Sequence, residues 1–212
     1  MTDHANEIRE RTLGVLLFPD FELLDVCGPL QMFGNMHGAV GIATVAEQAG
    51  PVASRQGVAL RAEHTLAACP ALDMLLVPGG WGTRKEVENR ALRDWLVARA
   101  ATAEIVMSVC TGAALLARAG LLDGRRATSN KANFQWVTTQ GPAVEWVKEA
   151  RWVEDGKVVT SSGVSAGIDM ALAVIARIAG DQIATTLADA AEYEWHRDAG
   201  WDPYARRWGL VA

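Results

Sequence analysis

Short, wholly apolar runs separated by amphipathic stretches constrain this chain's fold more than any other feature. Thr12-Leu13-Gly14-Val15-Leu16-Leu17-Phe18 and Met74-Leu75-Leu76-Val77 are too continuous for strands with one wet face. They read as strands buried on both sides, as in a parallel sheet. Glu104-Ile105-Val106-Met107 is a similar strand-like run, and Val40 to Ala46 is another candidate. Lys85 to Ala103 sets Val87, Leu92, Leu96 and Ala100 on one face, which predicts a surface helix. Strands alternating with helices predict an α/β fold.

Pro29 to Phe33 reads as a short helix with Pro29 in its first turn, where proline is tolerated. Residues Gly112 to Ala117, Ser165 to Ile178 and Asp181 to His196 read as further helices, and Arg126 to Thr128 as a strand resuming after the break at Gly120 to Gly124. Val52 to Ala62 turns at Gln56-Gly57, and Asp155-Gly156, flanked by Arg151 to Glu154 and Lys157 to Thr160, is the strongest short hairpin signal. The 212 residues suit one domain, with a core over about 12–196 and a tail over about 197–212 that wraps the surface.

A net charge of -5, with arginines scattered along the chain, leaves no basic stripe and predicts no nucleic-acid partner. No apolar run approaches the ~20 residues of a membrane helix, and the polar start lacks the order of a signal peptide. Three cysteines, Cys27, Cys69 and Cys110, are an odd number without metal-ligand spacing. That pattern predicts free thiols in the cytoplasm, with no metal and no cofactor.

Cys110 stands between a strand and a small-residue helix start, in Ser108-Val109-Cys110-Thr111-Gly112. A thiol on such a turn is aimed at a helix N-terminus, whose N–H groups favour the thiolate. A second strand end, Pro78-Gly79-Gly80-Trp81-Gly82, lies about one βα unit upstream. In a parallel sheet the two ends can be neighbours at the carboxyl edge, where ligands bind and glycine N–H groups can hold negative charge. Against this stand the bland readings: a buried inert cysteine and an ordinary tight turn. Asp25, between apolar neighbours after the first strand, is either a turn former or, beside a thiolate, an acid with a raised pKa.

Together these stretches resemble the ThiJ/PfpI superfamily, and within it the isocyanide (isonitrile) hydratase branch. The resemblance rests on Leu16-Leu17-Phe18-Pro19, Leu24-Asp25 before Gly28-Pro29, Pro78-Gly79-Gly80, Ser108 to Gly112, Ala119 to Thr128, and Ser165-Ala166-Gly167-Ile168-Asp169. It implies a flavodoxin-like sandwich, with Cys110 as nucleophile on an elbow and Asp25 as the acid beside it. It also implies anion donors at Gly80 and Thr111, with the Thr111 hydroxyl near substrate; Gly79, Trp81 and Asn130 complete the expected binding set. The implied partners are a small-molecule substrate and a second copy, in a homodimer. The implied product is an N-substituted formamide, made without a cofactor.

Thr111 stands where protease-like members carry a histidine, and Ser129-Asn130-Lys131 where the hydratase-like branch often has one. His4, His37 and His64 read as solvated or structural, whereas His196 with Asp198 could imitate a triad. Among the tryptophans, Trp95 reads as partly buried core and Trp81 as the pocket mouth; clustered Trp136, Trp195, Trp201 and Trp208 suit an interface. Lys85, Glu86, Glu88 and Arg90 read as a solvated helix face. Two alternatives stay open: a cofactor-free glyoxalase or deglycase, and a non-catalytic thiol sensor.

Overall fold

The computed structural model describes residues 9–212, so His4 and most of the polar start lie outside it. In chain order the elements are β1 (Arg11–Leu16), α1 (Leu23–Gly34), β2 (Val40–Ala46), β3 (Gly50–Ala53), β4 (Ala59–Ala62), β5 (His64–Thr65), β6 (Met74–Val77), α2 (Thr83–Glu86), α3 (Arg90–Thr102) and β7 (Ile105–Ser108). There follow α4 (Gly112–Arg118), β8 (Arg126–Ala127), α5 (Phe134–Thr138), β9 (Glu145–Trp146), β10 (Trp152–Asp155), β11 (Val158–Ser161), α6 (Ala166–Ala179), α7 (Asp181–Ala190) and α8 (Pro203–Arg207).

Seven strands form the central sheet in the order β10-β11-β7-β6-β1-β2-β5. All pairings are parallel except β10 with β11, the hairpin that Asp155-Gly156 turns. This is the α/β architecture with a mostly parallel sheet expected from the apolar runs. Leu13, Val15, Leu75, Leu76, Val106 and Met107 are fully buried. Each such side chain stabilises the sheet by about 1.5–3 kcal/mol relative to its exposed state.

The strand order reverses between β1 and β6: from β1 the chain proceeds to β2 on one side, and later to β6 and β7 on the other. A crevice opens beyond the carboxyl ends of strands at such a reversal. The loops after β1, β6 and β7 therefore converge there.

Several boundaries differ from those read in the sequence. Helix α1 begins at Leu23, and Pro29 lies in its interior. Gly28 lets α1 and α6 approach so closely that a Cβ on Gly28 would lie 2.8 Å from Ile168 Cγ1. Inside the helix Pro29 cannot donate the backbone bond that other residues make. The stretch from Lys85 is split into α2 and α3, with Asn89 capping α3 through its side chain at 3.1 Å from the Leu92 nitrogen. Arg126 to Thr128 does not rejoin the central sheet; Arg126–Ala127 pairs with Glu145–Trp146 instead. Helix α7 stops at Ala190, where Glu192 takes a left-handed φ of 49°. His64 lies in the edge strand β5, not in a loop.

Candidate active site

Cys110 sits on a sharp turn from β7 into α4, with a left-handed φ of 55°. A non-glycine residue is held there only when its surroundings over-determine it, at a cost of about 1–3 kcal/mol. They do: the Cys110 N–H donates to Ser162 O at 3.1 Å, and the Ser129 hydroxyl donates to Cys110 O at 2.7 Å. Gly112 completes the elbow, since a Cβ there would lie 2.2 Å from Val77 O. The thiol is thereby fixed at the carboxyl edge of the sheet.

Asp25 reaches the same place from α1. Phe21 bridges Gly80 on one side and Ser54 on the other, and the Glu22 N–H donates to Gly79 O at 2.9 Å. These contacts lock the loop after β1 onto the loop after β6. Asp25 is wholly buried, and its Oδ2 accepts the Gly79 N–H at 2.8 Å. A Cβ on Gly79 would lie 2.5 Å from the Thr111 nitrogen, 2.7 Å from its hydroxyl and 2.9 Å from Asp25 Oδ2. Only glycine fits between the acid and the elbow.

Burial is the largest effect on both titrating groups. It pushes the Asp25 carboxyl well above the usual carboxylate range, against the Gly79 N–H, which favours the anion; the Glu22 charge adds a smaller push upward. The Cys110 thiol is also pushed up, first by burial and then by the Asp25 charge. The Thr111 N–H and hydroxyl pull the thiol down by less. The helix-start argument thus gives the right direction for those donors, but desolvation outweighs them. Asp25 and Cys110 interact closely, although no hydrogen bond of ordinary geometry joins them and Asp25 Oδ1 has no partner.

The Gly80 N–H, read as an anion donor, donates to the Thr111 hydroxyl at 3.0 Å. That hydroxyl is also 3.2 Å from Gly80 O and from the Thr83 hydroxyl. The Gly80 donor is therefore already engaged inside the protein.

Cys110 opens onto a cavity of about 260 Å³ that Gly80, Trp81, Thr111 and Asn130 also line. Trp81 is 58% exposed at its edge. Gly79 supports the site from behind and is not part of the lining. Glu22, Arg55 and Arg84 line the cavity too, and the sequence reading missed all three. Arg84 lies 4.8 Å from the Trp81 ring centre and 4.0 Å from that of Trp136, and its Nη2 donates to Asn133 Oδ1 at 2.6 Å. An arginine three residues after the pocket-mouth tryptophan was the available signal. Asn130 Oδ1 accepts from the Asn133 N–H at 3.0 Å and from its side-chain amide at 2.8 Å, so it shapes the loop that faces the thiol.

His196 does not line this cavity. Its N–H donates to Asp169 Oδ1 at 2.9 Å and its ring packs on Trp201, so the sequence-level triad with Asp198 is not built at Cys110. Asp169 instead anchors a buried pair with Arg151 at 2.6 Å. Glu86, read as solvated, is buried, because α2 turns it inward beneath Asn89. Among the described residues no group of His, Cys, Asp and Glu could hold a metal ion, and no helix is long and apolar enough to cross a membrane.

The chain is 37% identical to the isonitrile hydratase of Pseudomonas putida over 181 residues, which cover 85% of this chain and 78% of that protein. It is 29% identical to the HTH-type transcriptional regulator CdhR of Pseudomonas aeruginosa, over 82% of this chain but 52% of the regulator. The crystal structure of a ThiJ/PfpI family protein from Pseudomonas syringae superposes with a TM-score of 0.82 at 32% identity, covering 92% of this chain and 81% of that one. Residues 11–177 match the sequence model of the DJ-1/PfpI family. With the parallel sheet and these relatives in agreement, the chain belongs to the DJ-1/PfpI family.

Proposed function

We propose that this chain is an isocyanide hydratase in which Cys110 is the nucleophile and Asp25 the proton donor and acceptor. The observation that carries the reading is the buried Asp25 carboxyl, with one oxygen tied to Gly79 and the other unpartnered beside an elbow thiol. Attack of sulfur on the terminal isocyanide carbon places negative charge on that carbon. A protonated Asp25 quenches it, giving a thioimidate, R–N=CH–S–Cys110. The Asp25 carboxylate then takes a proton from water as the water oxygen adds to the same carbon. Protonation of nitrogen and loss of the Cys110 thiolate release R–NH–CHO, and the remaining proton returns to the thiol–carboxyl pair.

The engaged Gly80 N–H supports this order of preference. Carbonyl chemistry such as glyoxal conversion develops charge on oxygen and needs free donors, whereas isocyanide addition needs a proton delivered to carbon. The name of the Pseudomonas putida relative points the same way. The reading includes a homodimer, supported by exposed Leu24, Tyr204 and Trp208 around one neighbouring cavity.

Parallel assays with an aryl isocyanide and with methylglyoxal test the substrate class. Formamide appearance with turnover on methylglyoxal at least tenfold slower is the expected result. Comparable or faster methylglyoxal conversion overturns it, and no turnover of either favours a thiol sensor.

A further inference from the structure

Helix α2 borders two cavities that share no lining residue: Arg84 faces the one at Cys110, and Glu86 faces another of about 340 Å³. The second lies beyond the carboxyl ends of β1 and β2, with apolar walls from Leu17, Phe18, Val52, Leu66 and Leu92. Its polar groups are Glu47, Gln48, Glu86 and Asn89, with no lysine, arginine or histidine among them.

Glu86 is only 6% exposed. Its Oε2 accepts from Asn89 Nδ2 at 2.8 Å, and the same amide group donates to Glu47 Oε2 at 3.3 Å. Among the described residues neither carboxylate has an ion-pair partner within 4 Å, and one neutral amide is shared between two acids. A buried carboxylate is normally paired with a cation. Here the missing partner has room to come from outside, through a cavity of the size small ligands occupy.

We propose that this cavity binds a small organic cation, a primary ammonium carried on a short alkyl or phenyl body. The ammonium has three donors, enough for the free Glu86 oxygen and for Glu47, while the apolar body packs on Phe18, Leu66 and Leu92. Anions are repelled, and a neutral apolar molecule leaves Glu86 without its counter-charge.

The test is calorimetric titration of the chain with benzylammonium chloride and, separately, with benzyl alcohol at neutral pH. Glu86→Gln keeps an oxygen for Asn89 and removes the charge; Leu66→Trp fills the cavity from a half-buried position. Saturable one-to-one binding of benzylammonium is expected, at least about tenfold weaker for benzyl alcohol and for Glu86→Gln, and abolished by Leu66→Trp. The proposal is overturned by no binding to the native chain, by equal binding of alcohol and ammonium, or by binding that neither variant changes. A second copy of the chain that covers the cavity and excludes benzylammonium overturns it as well.

Discussion

Asp25 Oδ2 accepts the Gly79 N–H at 2.8 Å while Asp25 Oδ1 stays buried with no partner. The half-satisfied carboxyl is held in place by one bond, and burial raises its pKa well above the usual carboxylate range. Asp25→Asn preserves an acceptor for Gly79 and removes the titrating proton. Turnover is expected to fall about 10²–10⁴-fold, while iodoacetamide still alkylates Cys110. A variant that turns over normally removes Asp25 from the chemistry.

The raised Asp25 pKa also has a stability signature. A carboxyl whose folded pKa lies above its unfolded value, near 3.8, contributes stability fully present below that value. It is lost as pH rises through the higher folded pKa. Relative to native, Asp25→Asn is therefore expected to gain stability as pH rises from 4 upward, as read from denaturant midpoints. A stability difference independent of pH contradicts the burial argument.

Gly79→Ala is expected to cost at least ~2 kcal/mol and most activity, because its Cβ would press on the Thr111 backbone and on Asp25. Gly41→Ala is the control, with its nearest neighbour, Arg11 O, at 4.0 Å. Its stability should change by less than about 1 kcal/mol. Equal effects at the two glycines would remove the close approach as the cause.

Arg84 and Arg55 share the cavity with the thiol; burial lowers the Arg84 pKa and the Cys110 charge acts against that shift. Arg84→Gln is expected to move the pH midpoint of Cys110 alkylation upward by about half a unit. Rates of thiol labelling across pH measure this directly; a downward shift contradicts the assignment.

Much of this was legible in the sequence, for identifiable reasons. Strands β1, β6 and β7 are buried on both faces, so their residues carry no polar alternation and stand out as apolar runs. Cys110 and the Gly79-Gly80 pair were visible because an elbow and a close approach demand particular residue types. Pro29 misled because α1 is packed closely against α6, where a Cβ on Gly28 would lie 2.8 Å from Ile168 Cγ1, and that packing is set by an element far off in sequence. Arg84 was passed over and Glu86 read as solvent-facing because only the tertiary fold turns so short a helix between two cavities.

Formamide formation from a simple aryl isocyanide, followed side by side for the native chain and Cys110→Ala, tests the central claim most directly. Product from the native chain and none above background from Cys110→Ala is the predicted result. Equal formamide from both chains, or none from a native chain whose Cys110 is reduced and alkylatable, would contradict it.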